Sequence, residues 1–403
     1  MDRKGRLTFL FEKLRYIKWY ARTCAQQLRM AGSYDDVNRV YWVPPRLITL
    51  VTELPYRQPP IMELGRTADG DWDKGLIPWD QYEPWQAFRH RYLIGGQWSE
   101  TPWYSTLLQK IASGRPVYRC RTPDDLAKHF AATDELYRSI RAEGFRSQAE
   151  IWPHRFLLLD HENEVLVHIT RDGHYVLAEG RHRLSIARLL NLASIPVKVA
   201  RRHARWVDFR RQLLECCRVG AIRHPIAHPD LADIGPEPHE HPLEIIRQNL
   251  PPSCCSVIDA SAGWGYACSR LEEFGLRCTA LEPLPANRYF LTRLHLAEQR
   301  RFSILSNPSI VPEQQREYDV LLLDAESCSN CSEQWLQAIH AMLHRLRMRL
   351  VFLHYSPPAG RGAGHPGIDL DSLARTVMTL SGMARSKVIG DTAHRTRVIM
   401  IWK

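Results

Sequence analysis

Apolar positions recur at two spacings along this 403-residue chain. Near the N-terminus, Leu7, Leu10, Leu14, Ile17 and Ala21 follow a helical period, with Phe9, Phe11, Trp19 and Tyr20 among them. Leu126, Phe130, Leu136, Tyr137 and Ile140 mark one face of a helix predicted over 124–143, with Pro123 at its start and Gly144 after its end. Strands are predicted at 46–54, 165–170, 175–178 and 195–199. Arg171-Asp172-Gly173-His174 joins the middle two as a hairpin turn, and a helix is expected over 183–192. Beyond residue 242 the two periods alternate. Strands are expected at 256–259, 277–282, 318–324, 350–355, 386–389 and 398–402, with helices at 266–274, 286–297, 333–347 and 372–381. Such alternation predicts a parallel sheet covered by helices on both faces.

Punctuation divides the chain into four parts: a basic amphipathic leader (1–35), an α+β domain (36–215), a Pro/His-rich linker (216–242) and an α/β domain (243–403). At 44% hydrophobic and 24% charged residues, the composition excludes bulk disorder. No run of 18 apolar residues is present, and no cleavage site follows an apolar core, so neither a membrane span nor secretion is expected. Ten cysteines, with adjacent pairs at 216–217 and 254–255, do not form a disulfide framework in a chain this long, which points to the reducing cytoplasm.

The net charge of +10 allows nucleic acid, an anionic membrane face or a phosphorylated substrate as partner. Eight Lys/Arg against Asp2 and Glu12 in residues 1–30 suit a helix lying on an anionic leaflet, peripheral to the inner membrane face; the same helix can instead pack on its own domain. Arg201-Arg202-His203-Ala204-Arg205-Trp206 is a second basic patch.

Two turns carry the chemistry. In Val257-Ile258-Asp259-Ala260-Ser261-Ala262-Gly263-Trp264-Gly265 a buried strand runs into a helix. Small residues there let a backbone approach a ligand, and the helix start offers unpaired N–H groups. Glu282, 23 residues after Asp259, is spaced to hold a ribose by its hydroxyls. The second turn, Ala178-Glu179-Gly180-Arg181-His182-Arg183-Leu184, places two guanidiniums and an imidazole at a helix start, a concentrated anion site.

Residues 240–403 resemble class I S-adenosylmethionine-dependent methyltransferases, whose first motif is matched by Asp259, Gly263 and Gly265, with Ser261 in place of its first glycine. The resemblance implies a Rossmann-like doubly wound fold, cofactor binding by these residues and Glu282, and Asp324 facing the transfer site at the end of the fourth strand. Neither nucleic-acid methylase signature follows that strand. Residues 36–215 resemble the ParB/sulfiredoxin-like superfamily at Gly180, His182 and Arg183, with Ile195-Pro196-Val197 as its closing strand. That resemblance implies binding of ATP or another nucleotide.

Arginine stands at 181 where sulfiredoxins need cysteine, and no helix-turn-helix module follows, which leaves the superfamily's kinase branch. Phosphoryl transfer would use Arg181, His182 and Arg183 on the phosphates, with Glu179, Asp71 and Asp73 as base and magnesium ligands. Glu179 can equally pair with a neighbouring arginine, and Asp71 and Asp73 can serve turns and caps. The layout, with Gly70-Asp71-Trp72-Asp73, resembles proteins of bacterial surface-polysaccharide clusters.

The expected function is therefore a methyltransferase fused to a nucleotide-binding, kinase-like domain, acting on a sugar, glycan or other small hydroxylated or phosphorylated acceptor. The alternative is a nucleotide-gated nucleic-acid-binding protein with a non-catalytic Rossmann-like domain. Cys328-Ser-Asn-Cys331 lacks a second pair at zinc spacing, and His224, His228, His239 and His241 are expected to be solvated.

Overall fold

The computed structural model describes residues 39–52, 64–151, 164–222, 224–236, 242–307, 317–325, 347–355, 370–391 and 397–403, with Ile17, Ala21 and Leu343 besides. The rest of the leader, His239, His241, Cys328, Cys331 and most of the 333–347 helix lie outside them. The chain divides between Leu214 and Glu215 into two compact units.

The first unit is built on a mixed sheet. Its strands are β1 (Tyr41–Val43), β2 (Ile48–Val51), β3 (Arg66–Ala68), β4 (Ile77–Pro78), β5 (Val165–Ile169), β6 (Tyr175–Glu179) and β7 (Ile195–His203). They run in the order β1-β7-β5-β6-β2-β4, with β3 also paired to β7. β5 is buried along its whole length and β7 along most of it, which is why both read as nearly continuous apolar runs.

Helices α1 (Glu83–Arg89), α2 (Pro102–Ala112), α3 (Pro123–Glu143), α4 (Arg181–Leu189) and α5 (Ala204–Arg218) complete the unit. A capping box between Thr122 and Asp125 starts α3, with Pro123 at its first position, and Gly144 at φ 82° follows its end. The tryptophan-rich stretch makes a second core. Phe88, Trp98, Trp103 and Phe130 pack with centroids 4.6–6.4 Å apart.

Asp134 anchors that layer. Its carboxylate accepts from Arg91 Nη2 at 2.7 Å, Tyr92 Oη at 2.7 Å and Trp98 Nε1 at 3.0 Å. Burial opposes its charge, but these three donors outweigh burial and hold its pKa below the usual carboxylate range.

The second unit holds seven strands: β8 (Ser256–Asp259), β9 (Arg277–Leu281), β10 (Ser303–Leu305), β11 (Glu317–Asp324), β12 (Arg347–Tyr355), β13 (Arg385–Asp391) and β14 (Arg397–Trp402). Their order is β10-β9-β8-β11-β12-β14-β13. The first five are parallel, and β14 runs antiparallel between β12 and β13. Helices α6 (Pro242–Gln248), α7 (Tyr266–Glu273), α8 (Pro285–Ala297) and α9 (Leu370–Ser381) belong to this unit, and two buried clusters hold it together. The strand order reverses between β8 and β11, the switch point where open α/β sheets bind ligands.

The expected linker is not a loose tether. α5 continues to Arg218, and Ile226, His228, Asp230, Leu231 and Ile234 are buried. His224 stacks on Tyr266 with centroids 4.6 Å apart, and the Ala227 N–H donates to Glu298. These apolar residues lie at no regular spacing, so a periodicity reading passes over them. His224 and His228 are packed rather than solvated.

Candidate functional site

Four side chains converge at the switch point. Asp259 ends β8, Glu282 follows β9, Asp324 ends β11, and Ser261 sits in the loop between β8 and α7. The Ser261 hydroxyl donates to Asp259 Oδ1 at 3.2 Å and accepts from the Asp324 N–H at 2.8 Å; its own N–H donates to Asp259 at 3.0 Å. It thereby ties the loop across the gap between β8 and β11. At the other end of the same strand pair, Asp319 accepts from the N–H groups of Cys255 and Ser256 and from the Ser256 hydroxyl.

Glu282 accepts from the Leu284 N–H at 2.8 Å and from Asn287 Nδ2 at 3.4 Å. Its pKa is raised by burial, partly offset by these donors and by Arg288. Asp259 is pushed up to about 7, first by burial and then by the neighbouring Asp324 and Glu282 carboxylates, while Ser261 pulls it back. This end of the sheet is therefore a nest of mutually repelling carboxylates, and a cationic ligand would relieve it.

The two glycines of the loop do different work. Gly263 has φ 54°, and a Cβ there would find nothing nearer than the Ser261 carbonyl at 4.0 Å, so open space lies against the backbone. Gly265 has φ 87°, and a Cβ there would lie 2.5 Å from Leu291 Cδ1, so it serves the seating of α7. An open glycine cradle beside acceptor carboxylates fits a ligand bearing both ribose hydroxyls and positive charge, as S-adenosylmethionine does.

The 178–183 turn is assembled differently from expectation. Gly180 caps α4 at φ 95°, where a Cβ would lie 3.1 Å from Val165 Cα, so the turn requires glycine. His182 packs into the aromatic core beside Phe88, Trp103, Tyr118 and His129, and its Nε2 is buried without a hydrogen-bond partner. Burial drives its pKa to about 3, so it is a neutral core side chain and no cationic phosphate donor. The Arg183 side chain is half-buried, its pKa lowered by burial against the opposing pull of Glu164 and Glu179. The Glu179 pKa is raised by burial, and the nearby Arg183 and Arg181 pull it down, which is the ion-pair role. Of the three, Arg181 lines a cleft beside Tyr82 and Tyr118.

Asp71 and Asp73 are not brought to this turn. Asp73 accepts from the Arg171 N–H at 2.9 Å and from its guanidinium, and Asp71 accepts from the same guanidinium at 2.9 Å. Arg171 follows the end of β5, whereas Glu179 pairs with Leu166 near its start, about 16 Å away at 3.3 Å per residue. The pair clamps the 171–174 hairpin and is not poised with Glu179 for phosphoryl transfer. Burial opposes the Asp73 charge, but Arg171 outweighs it and keeps the carboxylate ionised.

The 201–206 patch also turns inward: Arg202 donates to Tyr41 Oη at 2.9 Å, Arg201 lies over Trp72, and Trp206 is buried. Among the described residues, no group of three metal-ligating side chains occurs, and no helix is long and apolar enough to cross a membrane.

A feature that periodicity does not reveal is the turn at Val117–Cys120. Tyr118 and Arg119 are consecutive non-glycine residues with φ 50° and 65°, in a turn closed by Val117 and Cys120 N–H···O bonds of 3.2 and 2.7 Å. Each left-handed residue costs roughly 1–2 kcal/mol. No glycine or asparagine marks the turn, so its sequence carries no signal.

No family model matches the chain, and no curated protein matches it. Solved structures resemble part of it. One is a 16S rRNA N2 G1207 methyltransferase of T. thermophilus in complex with AdoMet and guanosine, at 17% identity and TM-score 0.30 over 41% of this chain and 40% of that one. Another is an rRNA methylase of Streptococcus thermophilus, at 13% identity and TM-score 0.28 over 41% of this chain and 97% of that one. A third is the magnesium protoporphyrin IX methyltransferase of Synechocystis PCC 6803 with bound SAM, at 14% identity and TM-score 0.28 over 49% and 80%. The chain spans two fifths of the length of the first of these enzymes.

Proposed function

We propose that residues 215–403 form an S-adenosylmethionine-dependent methyltransferase domain. The observation that carries this reading is the convergence of Asp259, Glu282 and Asp324 on an open glycine cradle at the switch point of the second sheet. Glu282 would accept the ribose hydroxyls, because a carboxylate has acceptor sites beyond those used by Leu284, Asn287 and the Gly263 N–H. Asp259, once deprotonated, would attract the cofactor's ammonium group. Gly263 would let the backbone approach, and Ser261 keeps the loop and the end of β11 in register before any ligand arrives. The bound cofactor supplies an electrophilic methyl group on a sulfonium. Asp324 is the carboxylate left to orient the acceptor's proton. The acceptor class we infer for a carboxylate-rich site is a hydroxylated molecule whose proton Asp324 could accept.

The residues expected for phosphoryl transfer are not assembled in the first unit, since Asp71 and Asp73 bind Arg171 and His182 is neutral. Thermal denaturation of the full chain with S-adenosylmethionine and S-adenosylhomocysteine tests the reading. Both ligands should raise the Tm. Gly263→Val, which fills the cradle and strains a left-handed position, should abolish the rise. An unchanged Tm for the natural chain at about millimolar ligand would count against it.

A further inference from the structure

Asp259, Leu322 and Phe352 are register partners across β8, β11 and β12, and Leu322 and Phe352 pack in the same buried cluster as Val257. In-register residues of parallel strands present their side chains on one face, and alternate residues repeat it. Asp324 and His354 also oppose each other, two residues beyond Leu322 and Phe352 on that face. Glu282 stands two residues beyond Ala280, the β9 partner of Asp259. Four neighbouring strands therefore bring one titratable side chain each to the carboxyl edge of the sheet, in the order Glu282, Asp259, Asp324, His354. Three are the carboxylates of the candidate site, and the fourth is an imidazole.

His354 is set behind Asp324. It is 9% exposed, whereas Asp324 is only half-buried. On its other side it opposes Val398 of β14, and α6 brings Leu243 and Ile246 to the same face. Among the described residues, Asp324 is the charged group that acts on it: burial lowers the His354 pKa, and the Asp324 carboxylate pulls it back up. Such an imidazole is neutral at about pH 7 and can take up one proton, whose charge the carboxylate balances.

We propose that His354 is a positioning residue of the transfer site, which holds Asp324 toward the acceptor and takes over the proton that Asp324 removes from the acceptor hydroxyl. The inference rests on the methyltransferase reading of the second unit. The acceptor O–H bond breaks, and its electron pair stays on the acceptor oxygen. The proton passes through the Asp324 carboxylate to an imidazole nitrogen of His354, leaving carboxylate and imidazolium side by side, and solvent takes it up afterwards. A carboxylate alone is a weak base toward a hydroxyl, and the imidazole gives the proton a second site.

Calorimetry and histidine NMR of the full chain test the inference with S-adenosylmethionine, whose sulfonium is a cation, and S-adenosylhomocysteine, which lacks that charge. The His354 ring signal is assigned by its loss in His354→Gln, or through the backbone where that variant does not fold. Without ligand, Asp324→Asn should weaken the proton affinity of His354 by about tenfold, because the balancing charge is gone. S-adenosylmethionine should weaken it by about threefold or more relative to S-adenosylhomocysteine, since the sulfonium would sit on the Asp324 side. An imidazole that only fills space would answer to neither change. If both ligands bind and His354 titrates alike with each, the inference is overturned while the methyltransferase reading stands. An unchanged titration in Asp324→Asn overturns it too; should that variant fail to fold, the ligand comparison on the natural chain decides alone. If neither ligand binds, the reading and the inference fall together.

Discussion

Ser261 shows how much one hydroxyl can organise. It satisfies the Asp324 N–H and holds the Asp259 carboxylate, so it couples the two strand ends that flank the switch point. Ser261→Ala should cost about 1–2 kcal/mol, read as a lowered denaturation midpoint, because a backbone donor loses its partner. The same change removes a hydrogen bond that favours the charged form of Asp259, so the Asp259 pKa should rise further above 7.

The Asp259 shift also sets a pH dependence. Its folded pKa, about 7, lies above the unfolded carboxylate value, so between pH 4 and 7 the folded chain binds more protons than the unfolded one. The stability linked to this group is full below pH 4 and is lost as pH rises through 7. Denaturation midpoints of Asp259→Asn and the natural chain, measured from pH 5 to 8, should therefore converge differently: the natural chain declines with pH and the variant is flatter. Parallel curves would contradict the assignment. Asp71, Asp73 and His182 show where residue identity misleads. All three have the chemistry of a phosphoryl-transfer site, but only the fold tells that two clamp Arg171 and the third packs among aromatic rings.

At the scale of elements, the strongly patterned segments are legible and the short ones are not. Helix α3 follows from its proline start, five apolar positions and terminal glycine, and β8, β9, β11 and β14 follow from short apolar runs. Strands β3, β4 and β10, of two or three residues, carry too few positions for any period and form by pairing with a longer neighbour. Helices α1 and α2 are hidden by the tryptophans around them, of which Trp98 is held by a hydrogen bond to Asp134 rather than by a repeating stripe. Asp134→Asn should cost about 3 kcal/mol, since Arg91 is left against a neutral amide, and the loss should be read in tryptophan fluorescence as well as in the Tm. Gly265→Ala should destabilise the second unit by about 1–3 kcal/mol, because a Cβ there meets Leu291 and φ is left-handed.

Over the whole molecule, the net charge of +10 loses much of its suggestive force. Arginines of the basic turn and patch are engaged within the fold: Arg183 beside Glu164 and Glu179, Arg202 on Tyr41. What remains at the candidate site of the second unit is a nest of carboxylates. The nest makes the central claim testable by a single measurement. Calorimetric titration of the full chain with S-adenosylmethionine at pH 6 and pH 8 should show binding that strengthens at the higher pH, as Asp259 loses its proton, and Glu282→Ala should weaken it by about 10-fold or more through lost charge-assisted hydrogen bonds to the ribose. Absence of binding at both pH values, or an affinity unchanged by Glu282→Ala, would contradict it.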